Sequence, residues 1–245
     1  MNQYFDINKF PKDWGMLVFP VSMGRIAHGQ HQKMYVEWLE FFLNKILLNK
    51  VGAHFLYSDG LYMNFETDAF KTKNAFAQAS VSHKQGMLNL VQKNYRKFQI
   101  ESAFSFQSWF QMYLAYPDFF SNFSEIRKIY DSDAKFQKYL ELDAKDQNRE
   151  MSENQIAFYL EEHLFWYLLS NRKLRIENEF VEHREQWILS CYPGPPPRAQ
   201  IYLFQLDPLK INLDSNPYKG QYDLDKKVFV DYMKTDIETY DPNNY

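Results

Sequence analysis

Ser22 is the residue with the clearest chemical potential, because it follows the apolar run of residues 16–21 and precedes Met23 and Gly24. An apolar run that stops at such a serine is typical of a buried strand leading into a turn before a helix. In open α/β sheets, ligands and reactive groups collect outside the carboxyl ends of the strands. A hydroxyl there could accept an acyl group, with turn amides around Met23 and Gly24 stabilising the oxyanion. The structural alternative is a turn serine that caps the next helix.

Two adjacent glutamates, Glu161 and Glu162, supply the carboxylates that general acid–base chemistry needs. They lie in residues 152–169, a segment that predicts a helix with Ser152 as its N-cap. Apolar neighbours favour partial burial of a glutamate here, whereas a solvated helix carboxylate is the structural alternative. Tyr192 ends a second apolar run, residues 187–192, which is typical of a central strand. A core tyrosine at a strand end is the alternative for Tyr192.

Residues 71–100 contain no Asp or Glu, although acids outnumber bases in the whole chain by 31 to 28. Their spacing predicts an amphipathic helix with Met87 on its buried face and basic side chains on another face. Such a face attracts phosphate backbones and predicts salt-dependent nucleic-acid binding, while a solvated charged helix is the structural alternative. The basic residues of this face are Lys84, Lys93, Arg96 and Lys97, with His83 beside Lys84.

Predicted strands and helices alternate along the chain, which is typical of an α/β domain with a mainly parallel sheet flanked by helices. The predicted strands cover residues 16–21, 53–57, 98–102, 187–192 and 201–206. Besides the basic helix, the predicted helices cover residues 30–49, 106–113, 123–129, 133–142 and 152–169. We therefore predict one domain over residues 1–206 and an acidic C-terminal extension over residues 207–245 that packs on it.

Composition and charge exclude several classes of protein. The net charge of −3 argues against a generally basic nucleic-acid binder and against DNA as a partner. The single cysteine, Cys191, excludes an internal disulfide, and strand alternation predicts it to be a small buried hydrophobe. The sequence has no zinc-type ligand cluster, no apolar run of about 20 residues and no signal-peptide pattern. We expect a cytoplasmic monomer without a metal, a cofactor or a membrane partner.

Three pieces of the sequence together resemble the tRNA-dependent cyclodipeptide synthases. They are Val-Ser-Met-Gly at residues 21–24, the glutamate-bearing segment 159–165, and Cys-Tyr-Pro at residues 191–193. The basic helix lies between the first two, and the resemblance covers roughly residues 14–206. It implies a Rossmann-like domain similar to the catalytic domain of class I tyrosyl- and tryptophanyl-tRNA synthetases. Arg25 and the Tyr192–Pro193 pair are similar to the Tyr-Pro subgroup of that family.

This resemblance implies that two aminoacyl-tRNAs are joined into a cyclic dipeptide without ATP. Ser22 would accept the first aminoacyl group, and the amine of the second aminoacyl-tRNA would attack that ester before the dipeptidyl-enzyme cyclises. Because α-amino groups have pKa values near about 8, a carboxylate must relay their protons. The resemblance implies Glu162 for this role, with the hydroxyls of Tyr159 and Tyr192 orienting the aminoacyl group.

Two features of the glutamate helix keep alternatives open. The Tyr-x-x-x-Glu spacing of the family is matched in position by Phe158 with Glu162, or by Tyr159 with His163. The tyrosine partner therefore stays open, and Glu161 remains a rival for the carboxylate.

The resemblance also implies a substrate pocket and a surface for tRNA. Pro20 departs from the family, in which a small residue is usual there, and its missing N–H predicts one-sided pairing or a bulge. The tRNA surface is the basic face defined above. The implied pocket residues are Val18, Pro20, Gly24, Arg25, Phe55, Tyr57, Phe165, Ser190 and Pro193.

Two other functions are weighed against this one. An ATP-dependent class I synthetase-like enzyme is suggested by the His-Gly-Gln-His of residues 28–31, although the order differs from the phosphate motif of those enzymes. A non-catalytic tRNA-binding module would need only the basic helix.

Overall fold

The computed structural model describes residues 15–23, 51–61, 69–95, 104–176, 187–211 and 216–245. The strands within these ranges are β1 (Gly15–Val21), β2 (Val51–Tyr57), β3 (Phe104–Ser108), β4 (Trp187–Tyr192), β5 (Gly220–Asp223) and β6 (Val228–Asp231). The helices within them are α1 (Ala69–Tyr95), α2 (Trp109–Ala115), α3 (Phe119–Ser132), α4 (Ala134–Asp146), α5 (Glu153–Ser170) and α6 (Arg198–Leu206). The predicted helix 30–49 and the predicted strand 98–102 lie outside the described residues.

The strands form a six-stranded sheet in the order β3-β2-β1-β4-β5-β6. β1 pairs with β2, β2 with β3 and β4 with β5 in parallel, whereas β5 and β6 are antiparallel. This confirms the predicted class, a mainly parallel α/β sheet flanked by helices. The described residues divide into two compact units. The N-terminal unit contains residues 15–112, 176, 187 and 188, and the C-terminal unit contains residues 113–175 and 189–245.

Buried apolar strands build the core of the N-terminal unit. Every residue of β1 and β2 is buried, as expected for parallel strands covered on both faces. The β1–β2 register runs without a bulge from Gly15 to Val21, and Pro20 lies opposite Leu56. On one face the ring of Phe55 stacks between those of Phe19 at 5.3 Å and Phe106 at 5.2 Å.

Capped helices form much of the C-terminal unit. Ser152 accepts a hydrogen bond from the Gln155 N–H at 3.2 Å, which confirms the predicted N-cap of α5. Asp133 caps α4 in the same way, through the N–H groups of Lys135 and Phe136. These caps satisfy amide groups that have no partner within the helix and fix where each helix begins.

One predicted element was wrong in type, and another was predicted to begin too early. Residues 201–206 form the end of α6 and not a strand, because a short apolar run fits a buried helix as well as a strand. The buried carboxylate of Asp143 accepts the N–H groups of Arg198 and Ala199 at 3.0 and 2.8 Å, so a distant side chain caps this helix. The predicted helix 106–113 begins only at Trp109, because residues 104–108 form β3.

Candidate active site

The turn that carries Ser22 directly follows β1, where the sequence predicted it, and Ser22 is half-buried. The turn is supported by Ser58, at the end of β2. The Val21 carbonyl accepts the N–H of Ser58 at 3.1 Å and its hydroxyl at 3.2 Å. The N–H of Met23 donates to Ser58 Oγ at 3.3 Å. The Met23 amide therefore has an acceptor other than the oxyanion proposed for it, while Gly24 and Arg25 lie outside the described residues.

A hydrogen-bonded cluster around Asp59 lies just beyond the ends of β2 and β3. Asp59 accepts the hydroxyl of Ser108 at 2.5 Å through Oδ2. Its Oδ1 accepts the N–H groups of Gly60 at 2.9 Å and Phe110 at 3.3 Å. Because the carboxyl ends of parallel strands meet at one edge of a sheet, these groups and the Ser22 turn share that edge.

The pocket residues predicted in β1 and β2 divide between the two faces of the sheet. Neighbouring residues in register point to the same face, and successive residues point to opposite faces. Phe55 and Tyr57 lie opposite Phe19 and Val21, so they share one face, while Val18 and Pro20 point to the other. The four residues do not line one common surface.

His83 was predicted to lie on the exposed basic face, but it does not belong to that face. Its side chain is 2% exposed, and its Nδ1 is 2.9 Å from the hydroxyl of Tyr57. Lys84 and Lys93 are exposed on α1, and the Lys84 ammonium lies 5.4 Å from the centre of the Phe106 ring. Met87 is fully buried, as predicted. Arg96 and Lys97 lie outside the described residues.

The two glutamates of α5 have different surroundings. Glu161 is 8% exposed and accepts a short hydrogen bond from the hydroxyl of Tyr113. Glu162 is half-buried. A buried carboxylate held by a phenol and a more accessible one therefore stand side by side on this helix, and both can serve in proton transfer.

The aromatic candidates on α5 are both buried, with Phe158 5% and Tyr159 1% exposed. The Tyr159 hydroxyl donates to Gln147 Oε1 at 3.2 Å, and its ring stacks on His163 at 6.1 Å. Burial raises the pKa of Tyr159, so its phenol stays protonated and can donate a hydrogen bond.

Tyr192 is the last residue of β4 and is half-buried. The Leu224 N–H donates to its carbonyl at 3.1 Å. Pro193, also half-buried, leads to Gly194, whose φ of 92° is a left-handed conformation that favours glycine. Two residues of β5 that lie opposite this strand, Gln221 and Asp223, were not predicted as site residues, because residues 207–245 were expected to form an extension of the domain.

The other candidates of the C-terminal unit belong to its core. Phe165 is fully buried with its ring 5.9 Å from that of Tyr113, and Ser190 is 8% exposed. Cys191 is buried, which confirms its predicted place in the core, and burial raises the pKa of its thiol. An unreactive, protonated thiol follows from that environment.

The site residues are distributed over both units. Ser22, Lys84 and Lys93 belong to the N-terminal unit, whereas Tyr159, Glu162 and Tyr192 belong to the C-terminal unit. Within the described ranges, no three or more His, Cys, Asp or Glu side chains are grouped so as to hold a metal ion. Among the helices of those same ranges, none has the length and apolar character needed to cross a membrane.

The fold is similar to solved structures of cyclodipeptide synthases. One from Fluoribacter dumoffii has a TM-score of 0.54 at 17% identity, over 85% of this chain and 90% of that chain. AlbC, a cyclodipeptide synthase from Streptomyces noursei, has a TM-score of 0.48 at 12% identity, over 82% of this chain and 88% of that chain.

The structure of a Mycobacterium tuberculosis protein is also similar. That structure demonstrates that cyclodipeptide synthetases are related to type I tRNA synthetases. Its TM-score is 0.47 at 9% identity, over 78% of this chain and 76% of that chain. No family model and no curated protein matches the sequence. At these identities the likeness establishes the fold, and the chemistry has to be argued from the residues.

Proposed function

We propose that this chain is a cyclodipeptide synthase of the Tyr-Pro subgroup, which joins the aminoacyl groups of two aminoacyl-tRNAs into a 2,5-diketopiperazine. The observation that carries the proposal is the serine turn after β1, in a fold that resembles the Fluoribacter dumoffii cyclodipeptide synthase over 85% of the chain. A half-buried hydroxyl at the carboxyl end of a parallel strand is a suitable acyl acceptor.

The first step is an ester exchange. The Ser22 hydroxyl attacks the aminoacyl ester carbonyl, the bond to the tRNA ribose oxygen breaks, and the serine proton passes to that oxygen. One ester replaces another, so the step requires neither ATP nor a redox cofactor. The product is an aminoacyl-Ser22 ester and a deacylated tRNA.

The second half of the reaction forms two amide bonds. The amine of the second aminoacyl-tRNA attacks the aminoacyl-Ser22 ester, which forms a dipeptidyl-tRNA and releases the serine hydroxyl. That hydroxyl then attacks the dipeptidyl ester carbonyl, the bond to the second tRNA ribose oxygen breaks, and the serine proton passes to that oxygen, which releases the second deacylated tRNA. The free amine of that dipeptide closes the ring and releases Ser22 again. Each attacking amine must lose a proton, and we assign this transfer to Glu162, with Tyr159 and Tyr192 orienting the aminoacyl group.

We assign the tRNA contacts to the basic side chains of α1. Lys84 and Lys93 are exposed on this helix, and Arg96 and Lys97 follow it in the sequence. Such contacts give affinity through the phosphate backbone and carry little information about the amino acid.

The test is incubation of the purified protein with a mixture of aminoacyl-tRNAs, without ATP, followed by mass spectrometry of the small-molecule products. We expect cyclic dipeptides from the native protein and none from Ser22→Ala. ATP–pyrophosphate exchange with a free amino acid would instead indicate a synthetase. Binding of tRNA with no product would indicate a non-catalytic module.

A further inference from the structure

The turn after Tyr192 is held by three contacts from β5 and the residue that follows it. The Gly194 N–H donates to Asp223 Oδ1 at 3.1 Å, and Gln221 Nε2 donates to the Gly194 carbonyl at 2.9 Å. The Leu224 N–H donates to the Tyr192 carbonyl at 3.1 Å. The backbone on both sides of Pro193 is therefore fixed from the neighbouring strand.

Asp223 is the centre of these contacts. Its side chain is fully buried, and its Oδ1 also accepts the N–H groups of Asp225 at 2.8 Å and Lys226 at 3.2 Å. Its Oδ2 accepts a short hydrogen bond from the hydroxyl of Tyr245. Four donors thus face one buried carboxylate, an arrangement that is strong because the acceptor is charged. Both oxygens are engaged by the chain itself, so the group acts on the turn and not on a substrate.

The register between β4 and β5 places this carboxylate next to Tyr192. Tyr192 lies opposite Asp223 in the β4–β5 pair, and in-register neighbours point to the same face of a sheet. Gly194, whose N–H donates to Asp223, has a left-handed conformation that favours glycine. Without the carboxylate the turn would lose these hydrogen bonds, and the orientation of the Tyr192 hydroxyl would no longer be fixed.

We infer that Asp223 is a positioning residue for Tyr192, and that Tyr245 in turn orients Asp223. The role of Tyr192 in this inference rests on the function proposed above. The Lys226 ammonium lies 4.0 Å from the centre of the Tyr245 ring, so the aromatic side chain is itself held against the β5–β6 turn.

The kinetic test is a double-mutant cycle between Asp223→Ala and Tyr192→Phe. A misplacement of about 1 Å at a reacting group costs up to about a hundredfold, so we expect Asp223→Ala to lower kcat tenfold or more with little change in KM. In the Tyr192→Phe background the same substitution should cost less than about twofold, because coupled residues are not additive. Equal losses in the two backgrounds would overturn the inference.

Two variants control for a general loss of structure. Asp223→Asn keeps one oxygen that can accept the three N–H groups, so it should recover most of the kcat lost in Asp223→Ala. Asp231→Ala removes a carboxylate at the end of β6 that accepts the Met233 N–H at 3.1 Å and has no bond to the Tyr192 turn. It should leave kcat unchanged. A loss in Asp231→Ala equal to that in Asp223→Ala would overturn the inference.

A second measurement does not depend on catalysis. Hydrogen exchange of the Gly194 amide, followed by NMR, should be protected in the native protein and in Asp223→Asn and fast in Asp223→Ala. Tyr245→Phe should raise the exchange rate by a smaller factor. If the native protein makes no cyclic dipeptide, fast exchange in Asp223→Ala still supports the turn contact while the proposed function fails. Unchanged exchange in Asp223→Ala would overturn the inference whatever the activity.

Discussion

The turns after β1 and β4 each follow a strand that has a parallel neighbour, yet different chemistry supports them. The Ser22 turn is held by a neutral hydroxyl, Ser58, which donates one hydrogen bond and accepts another. The Tyr192 turn is held by a buried carboxylate, Asp223, with four donors. Hydrogen bonds to charged groups contribute about 1.5–3 kcal/mol and neutral ones about 1 kcal/mol. Of these two supporting side chains, the one at the turn that carries the proposed nucleophile, Ser22, is therefore the neutral one.

The largest expected effect distinguishes the proposed acyl acceptor, Ser22, from the residue proposed to orient the aminoacyl group, Tyr192. Ser22→Ala removes the acyl acceptor, so we expect no aminoacyl-enzyme and no cyclic dipeptide. Tyr192→Phe keeps the acceptor and loses only a hydroxyl, so the adduct should still form while turnover falls. The measurement is intact-protein mass spectrometry after brief exposure to aminoacyl-tRNA. An adduct that persists in Ser22→Ala would overturn the assignment of Ser22 as the acyl acceptor.

The next largest effect concerns the carboxylate of the C-terminal unit. Glu162→Gln removes the proposed proton relay, and we expect a loss of about a hundredfold or more in turnover. Glu161→Gln keeps an oxygen that can accept from Tyr113, so its main effect should be on stability, read as a lower melting temperature. Turnover of the two variants decides the assignment. The reverse order of losses would transfer the role to Glu161.

A smaller loss of turnover is expected when the side-chain support of the Ser22 turn is removed. Ser58→Ala removes both side-chain bonds at the Ser22 turn but leaves the backbone bond from Ser58 to Val21. At the lower end of about 0.5 kcal/mol for a neutral bond, the two lost bonds sum to about 1 kcal/mol, which corresponds to roughly a fivefold loss of turnover. Ser82→Ala, at an exposed serine of the same unit, is the matched control and should have no effect. A loss as large as that of Asp223→Ala would contradict the difference between the turns.

The basic helix should affect binding and leave chemistry unchanged. Lys84→Ala and Lys93→Ala should each weaken tRNA binding a few-fold and reduce the slope of log affinity against log salt by about 1. Lys128→Ala is the control, because that exposed lysine is paired with Glu125 at 2.6 Å. Filter binding at several salt concentrations gives the slopes. A change in amino-acid preference without a change in slope would contradict the assignment.

Both units also contain a buried neutral histidine, and this gives a pH test of stability. Burial lowers the pKa of His54 to about 3 and that of His163 to about 4, below the usual 6.5. The unfolded chain therefore binds more protons below pH 6.5, and the free energy of unfolding falls as the pH drops. At pH 5 each histidine accounts for about 2 kcal/mol of that loss.

The measurement is urea unfolding at pH 7.5 and 5.0. The variant is His54→Leu combined with Ser105→Ala, because the Ser105 hydroxyl lies 2.6 Å from His54 Nδ1 and would lose this contact. We expect the double variant to lose less stability on acidification than the native protein. Burial raises the pKa of Asp143 to about 6, which acts in the opposite direction but cancels in the difference. Equal losses would show that His54 is not held neutral.

The sequence predicted most of what depends on local pattern. The bounds of β4, the N-cap at Ser152 and the serine after β1 all follow from apolar runs that end at polar or turn residues. In each case the deciding groups lie within a few residues of one another. The same is true of the buried Cys191, whose place follows from strand alternation.

What the sequence could not predict depends on distant partners. Residues 201–206 became a helix with a cap from Asp143, 55 residues from Arg198, which no local pattern contains. The roles of Asp223 and Gln221 depend on pairing between β4 and β5, which are separated by α6. That Phe55 and Val18 point to opposite faces of the sheet could not be predicted, because the faces of neighbouring strands are set by register.

The position of each support along the chain has a consequence for biosynthesis. Chains emerge from the ribosome with the amino-terminal end first. Ser58 directly follows the strand that pairs with β1, so the Ser22 turn has its support early in translation. Asp223 follows Gly194 by 29 residues, beyond α6, so the Tyr192 turn is completed much later. A nascent chain that stops before β5 would already carry the proposed nucleophile but would lack the carboxylate to which we assign the positioning of Tyr192.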